Sequence, residues 1–394
     1  MSRDLDLFFS QPSRLFWRED NTQDSAQRYR LLDAPLTRYL IGIGRKINGA
    51  QPAPTADWDW SKSWTENKLA NALPSERLLL TARAATAFLF PLTCWLLYAT
   101  GRTLGGEQMG WLTFLLFASN ALVLLHTRRA MAESTLLFTV SLTIFLILRS
   151  PANPYLLALA TALALNAKQS TLILFFWGAL ALAFPGEKLI RWRLRLVNLL
   201  KYSVLFVAVV FLLNPFLWSK PFKAISAAWM ARQELVEKQV ETFGSAAPGQ
   251  ILHSPAQRLV ALVANLYILP PQIAEAENYS SDTQVATQAY FSNPLHTLLR
   301  GFVGGALMAV LTVVGYLLLL RQALMKNRPD RRRAALLCAG GALQFISLLV
   351  AVPLPFQRYV VPLIPFTCLY IAFGLIQPLL TKNAGGAARR APFQ

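Results

Sequence analysis

Long apolar blocks, each bounded by charged or turn-forming residues, constrain this chain more than any other feature. A run of that length is at home in a bilayer, where a helix satisfies its own backbone and its side chains face lipid. Nine blocks read as spans: 79–100, 109–126, 133–149, 153–167, 169–184, 196–218, 299–320, 334–352 and 359–379. The 394 residues are 54% hydrophobic and 15% charged, against about a quarter charged in soluble domains. There is no alternating pattern of about ten residues, as barrel strands would show. The expected fold class is an all-α polytopic membrane protein of about nine transmembrane helices, with interfacial helices on its outer face.

A net charge of +18 would suggest nucleic acid in a soluble protein. Here most Lys and Arg flank apolar blocks, which is how topology is encoded, so no nucleic-acid partner is expected. Cys94, Cys338 and Cys368 lie inside blocks and imply no disulfide framework. His126, His253 and His296 are far apart, and no metal-ligand spacing occurs. Gly105-Gly106 reads as a turn rather than part of a phosphate loop, and no cofactor is expected.

Five regions follow: a polar first segment 1–78, a membrane region 79–218, a long outer segment 219–298, a second membrane region 299–379 and a basic tail 380–394. In the first segment, Leu5 to Phe9 with Leu15-Phe16-Trp17 suits an interface. Leu36 to Lys46 has apolar residues at helical spacing with cations between them, as an interfacial helix would, and Pro35 suits its first turn. Asp57-Trp58-Asp59-Trp60 with Trp64 reads as an amphipathic loop at headgroup level.

Blocks 153–167 and 169–184 could form one helix with Lys168 inside. Such a helix would run about 46 Å at 1.5 Å per residue, against a hydrocarbon core of roughly 30 Å. Lys168 at its centre would cost about 2.5–3.5 kcal/mol. A hairpin turning at Asn166 to Ser170 is preferred. The basic loops around Lys188, Arg191, Arg193 and Arg195, and around Arg321, Lys326, Arg328 and Arg331 to Arg333, then lie inside, with Arg102, Arg149 and the tail cations Lys382, Arg389 and Arg390. Arg128, Arg129, Glu133, Lys168, Arg358 and segments 1–78 and 219–298 lie outside. A polar 78-residue N-terminus does not cross a membrane unaided, so either a span precedes it or an eight-span arrangement with buried Lys168 inverts the first half.

The polar break Leu125 to Glu133 places two arginines and a carboxylate at a span mouth, where charges are costly and usually functional. Its bland alternative is that Arg128 and Arg129 snorkel to headgroups. In 219–298, Phe222 to Phe243 reads as an amphipathic helix ended by Gly244, with Phe222, Ile225, Trp229, Val236 and Val240 on one side and Arg232, Glu237, Lys238 and Glu241 on the other. Ser254-Pro255 opens a second helix, Ala256 to Leu269. Asn278-Tyr279-Ser280 fits a glycosylation acceptor pattern. The segment is expected to cover the membrane surface as a lid; two interfacial helices without a catalytic role are the alternative.

Four stretches resemble the GT-C class of polyprenyl-phosphate-sugar-dependent glycosyltransferases, in its protein O-mannosyltransferase and aminoarabinose-transferase branch. Asp33-Ala34-Pro35-Leu36 is similar to the branch's first-loop (H/K)PPL signature. Arg129 to Phe138 resembles its R…(D/E)…LLF, and Leu163 to Ser170 its GLA…K hairpin. Pro355 to Pro365, with Arg358 and Tyr359, is similar to its RY(L/V)LPLIP. Asp33 and Ala34 depart from the first signature. The resemblance implies an inner-membrane, multi-pass enzyme that transfers a sugar, with inversion, from a polyprenyl-phosphate donor to an unspecified acceptor among membrane lipids, glycans or proteins. It also implies a first span, ending in an Asp-Glu pair that includes the base, ahead of Met1.

Such chemistry needs a carboxylate for the hydroxyl proton and cations for the leaving phosphate. Arginine's fork matches phosphate oxygens. The expected cations are Arg129, Arg128, Lys168 and Arg358, beside Tyr359. Their plainer readings are span anchors, a turn residue at Lys168 and an interfacial aromatic at Tyr359. Glu133 is the first carboxylate candidate, with pairing to Arg129 one helical turn away as its alternative. Asp33 is the second, with helix capping as its alternative. A lipid-linked-sugar transporter and a non-catalytic scaffold are the competing functions. Transporters usually carry internal repeats and polar mid-span residues, of which this chain has few.

Overall fold

A computed structural model describes residues 3–21, 24–53, 58–59, 61–149, 153–184, 192–246, 248–274, 279–325 and 330–388. The readings made at Asp57, Trp60, Lys188, Arg191, Asn278, Lys326, Arg328, Arg389 and Arg390 fall outside them. The described residues contain helices and turns but no strand.

The first segment forms α1 (Asp4–Ser10), α2 (Ser25–Leu32), α3 (Leu36–Ile47) and α4 (Trp64–Leu69). Helix α3 is where the sequence expects it, but its cations do not all face headgroups. Arg38 and Arg45 are buried because α1 supplies counterions. Asp4 binds Arg38 at 2.6 Å and Arg30 at 3.2 Å, and Asp6 binds Arg45. The two helices approach closely at Gly42, where an added Cβ would lie 2.7 Å from Leu5 Cβ. Phe8 and Phe16 pack edge-on against Trp218, which ties this unit to the later chain.

The membrane region begins with α5 (Glu76–Ala87) and α6 (Leu89–Ala118). Gly105 and Gly106 break α6, Gly106 at φ +83°, a conformation open mainly to glycine. Beyond the break the chain doubles back. An added Cβ on Gly110 would sit 2.9 Å from the Tyr98 carbonyl, whereas twelve residues of straight helix would separate these positions by about 18 Å. Thus the glycine turn separates the two expected spans, 79–100 and 109–126, but α6 holds only part of each: the first begins in α5 and the second continues past the end of α6 into α7. Helices α7 (Ala121–Thr127) and α8 (Ala132–Leu148) meet at 119°.

Next, α9 (Pro154–Ala167) ends before Lys168, whose backbone is extended, and a short 3-10 turn leads to α10 (Ile173–Ala183). Lys168 therefore sits at a hairpin turn, and the continuous eight-span helix is not formed. Helices α11 (Trp192–Leu213), α12 (Pro221–Ala246), α13 (Pro255–Val263), α14 (Gln284–Phe291) and α15 (Pro294–Leu299) follow. Helix α12 runs past Gly244, expected to end it. The Ser254 start is as expected, with a Ser254/Gln257 capping box, but α13 gives way at Ala264 to one π-helical turn. The chain ends with α16 (Phe302–Leu324), α17 (Arg331–Ala351) and α18 (Ile364–Ala388).

The protein is a polytopic helical membrane protein. Five described helical segments are long and apolar enough to cross a bilayer, six if α7 and α8 make one bent span. That number does not establish nine spans. Helices α9 and α10 fall short of a full crossing, and Glu76–Ala118 counts once although it doubles back.

One end of the bundle is basic for a structural reason. Arg332 donates to the carbonyls of Phe184 (2.8 Å) and Ala181 (2.9 Å). Arg333 reaches those of Leu148 and Thr103, and Arg331 that of Ala323. Helix C-termini leave carbonyls without intrahelical partners, and these guanidiniums satisfy them while matching the negative end of each helix dipole. Arg332→Ala is expected to lower stability by about 1–3 kcal/mol, seen as a lower unfolding temperature in detergent. Exposed Arg193→Ala should change it by less than about 0.5 kcal/mol.

Candidate functional site

At the opposite end, six stretches of the chain line a cavity of about 510 Å³. The turn between α2 and α3 supplies Asp33. Its amide closes α2 on the Tyr29 carbonyl, and its own carbonyl accepts from Arg38 at 3.0 Å. No side chain caps the start of α3, so the capping alternative for Asp33 does not apply.

Glu133 lies in the first turn of α8, and Lys168 is the C-cap of α9. A carboxylate at a helix N-terminus and an ammonium at a C-terminus each meet the favourable end of a helix dipole. They bond to one another, Lys168 Nζ donating to Glu133 Oε1 at 2.9 Å. Glu133 is 2% exposed, and its Oε2 has no hydrogen-bond partner among the described residues. Thr37 bonds Thr135 at 2.9 Å, locking α3 to α8. Gln169 donates to the Leu31 carbonyl, locking the hairpin to α2.

Arg358 and Tyr359 enter on a 3-10 turn. The preceding Gln357 is buried and holds this turn to the segment after the π turn, donating to the Pro270 carbonyl (2.6 Å) and accepting from the Gln272 amide (2.7 Å). The Arg358 guanidinium lies 5.2 Å from the centre of the Phe356 ring. Helix α12 adds Arg232, Leu235 and Gln239, spaced to share one face. Leu32, Ile41, Leu78, Leu79 and Met131 make an apolar wall.

The cavity thus joins Asp33, Glu133, Lys168, Arg358 and Tyr359, all expected from sequence. Arg128 and Arg129 do not line it. Arg128 donates to the Leu124 carbonyl, closing α7. Arg129 donates to the carbonyls of Ile273 (2.6 Å) and Gln272 (3.5 Å), so it anchors the 264–274 segment. Arg232 and Gln239 were not expected. Arg232 was legible only as a cation on the polar side of an amphipathic helix. Beside Glu133, His126 is 2% exposed and neither ring nitrogen has a partner among the described residues.

Asp33 is exposed at the cavity, and the protein packed around that opening strips part of the water from its carboxyl. This desolvation raises its pKa above the usual 3.8, against the pull of Arg38, Arg232, Arg358 and Lys168. No group of His, Cys, Asp or Glu among the described residues could hold a metal. A smaller cavity of about 50 Å³ lies near Asn120, Tyr267 and Arg300. Its arginine is occupied by the carbonyls of Asn265, Leu266 and Leu269.

No family model matches the chain, and no curated protein does. Solved structures similar to it include an archaeal oligosaccharyltransferase, AglB from Archaeoglobus fulgidus, in complex with an inhibitory peptide and a dolichol-phosphate. That match has 14% identity and a TM-score of 0.46, covering 92% of this chain and 44% of that one. The Archaeoglobus fulgidus oligosaccharyltransferase with Zn and sulfate matches at 14% identity and TM-score 0.47, over 89% and 41%. The chain spans less than half the length of these structures. At such scores the likeness carries no argument about activity.

Proposed function

We propose that the protein is a membrane glycosyltransferase that moves a sugar from a polyprenyl-phosphate donor to an acceptor hydroxyl, with inversion. The observation that carries the reading is the cavity itself. It gathers two carboxylates, Lys168, Arg358 and Tyr359 from distant parts of a membrane-embedded chain. The acceptor oxygen attacks the anomeric carbon as the bond from that carbon to the phosphate oxygen breaks. The electron pair stays on the leaving lipid phosphate, and the hydroxyl proton passes to the base.

Asp33 fits the base better than Glu133. It is open to the cavity and its pKa is raised, whereas Glu133 is buried and bonded to Lys168. Arg358 and Lys168 neutralise the charge arriving on the phosphate, with Glu133 orienting Lys168 and Tyr359 beside them. Arg129 acts at one remove, holding the segment that braces the Arg358 turn. A site on the outer face of a bacterial-type inner membrane belongs to the same proposal.

The test supplies the full chain in nanodiscs with radiolabelled polyprenyl-phosphate hexoses and a membrane extract as acceptor source. Sugar transfer with release of polyprenyl phosphate is expected, and Arg358→Ala should slow it about 10²–10³-fold. Donor translocation without transfer would instead make the protein a transporter. Neither activity in well-folded protein would leave a scaffold.

A further inference from the structure

Helix α12 carries two stripes. Arg232, Leu235 and Gln239 face the cavity. Phe222, Ile225 and Trp229 lie about 80° round the helix, counting 100° per residue, and are 86%, 54% and 67% exposed. Met230 beside them is also exposed. Apolar side chains this large, gathered on one short stretch, need a cover.

The chain's course identifies it. Helix α11 is a candidate span with most of its surface free of protein contact, and it ends at Leu213. The link to Pro221 cannot stray far. Asn214, Leu217 and Trp218 each donate backbone bonds three residues back, and the Trp218 indole returns to the Phe211 carbonyl at 2.7 Å. Phe222 therefore starts at the membrane end of a span. Lys220 and Lys223 flank it and share one carboxylate, Glu19, at 3.8 Å and 3.0 Å. One net positive charge remains to meet lipid phosphates.

We propose that the first turns of α12, through Phe222, Ile225, Trp229 and Met230, seat in the headgroup layer of the bilayer. That seat, acting with the packing of α12 on α2, sets Arg232 over the cavity. The cavity's lid-borne cation is then positioned by the lipid surface, and anion binding there depends on it. The binding half of this inference rests on the proposed function; the seat does not.

The experiment uses the full chain in phosphatidylglycerol–phosphatidylcholine nanodiscs. The native cysteines Cys94, Cys338 and Cys368 are all buried, so spin labels can be directed to new sites. A label at Ile225→Cys is expected to collide with oxygen more than with a water-soluble nickel chelate, and a label at Glu237→Cys the reverse. Phe222→Ser with Trp229→Ser should broaden the distance distribution between labels at Glu237→Cys and Glu76→Cys, while Phe222→Leu with Trp229→Leu should not. It should also weaken undecaprenyl phosphate binding about tenfold, as Arg232→Ala does, and the combined variant should lose little more. Water access at position 225 would overturn the seat. An unchanged distance distribution, or intact binding in the serine variant where Arg232→Ala weakens it, would overturn the coupling. If the unmodified chain binds no undecaprenyl phosphate while the labels behave as expected, the proposed function fails and the lipid seat stands.

Discussion

Lys168→Ala is expected to destabilise the protein by about 3–5 kcal/mol, because it strands a buried carboxylate. Glu133 is 2% exposed, and its Oε1 accepts a hydrogen bond from Lys168. Removing the ammonium takes away the hydrogen bond to Oε1 and leaves a buried carboxylate whose Oε2 has no hydrogen-bond partner among the described residues. Glu133→Gln in the same background removes the charge, so Lys168→Ala with Glu133→Gln should regain most of the loss. Such non-additivity is the signature of a coupled pair. Thermal unfolding in detergent of the two single variants and the double reads it directly. Equal losses that simply add would mean that the two groups do not depend on each other.

Asp33→Asn is expected to have the opposite profile, with transfer falling about 10²–10⁴-fold, the usual contribution of a general base, and no loss of stability. The sign follows from the raised carboxyl pKa. A group that binds its proton more tightly in the folded state makes stability fall as pH rises from the unfolded to the folded pKa. At neutral pH the ionised Asp33 is thus a cost to the fold, which asparagine relieves, so the unfolding temperature of Asp33→Asn should match or exceed that of the unmodified chain. The same shift sets the acid limb of transfer. A base must be deprotonated, so activity should fall as pH drops through a midpoint above 3.8, the ordinary aspartate value. Full activity in Asp33→Asn would remove Asp33 from the proposal.

Much of the scaffold was legible because it follows from local patterns. Apolar runs marked the helices, Gly105-Gly106 marked the fold-back, and the cost of a lysine at mid-membrane marked the turn at Lys168. The candidate residues were legible to a different degree. Asp33, Glu133, Lys168, Arg358 and Tyr359 share a cavity, but the adjacent Arg128 and Arg129 are held by backbone carbonyls. Arg129 reaches its partner, the Ile273 carbonyl, across 144 positions, a contact no local pattern encodes. Arg38 and Arg45 read as headgroup anchors until α1 brought Asp4 and Asp6 against them. Arg232 read as part of a solvated face because nothing in α12 alone says what lies beneath it.

The sequence by itself determined the solvent this protein folds in, the helical character of its blocks and where several of them break. These depend on the transfer energy of side chains and on backbone sterics, which act over a few residues. Only the tertiary structure decided what each charge does. A charged side chain binds a ligand, braces a loop or buries against a counterion according to the partner within a few ångströms, and here those partners lie 34 positions away for Arg38, 35 for Lys168 and 144 for Arg129.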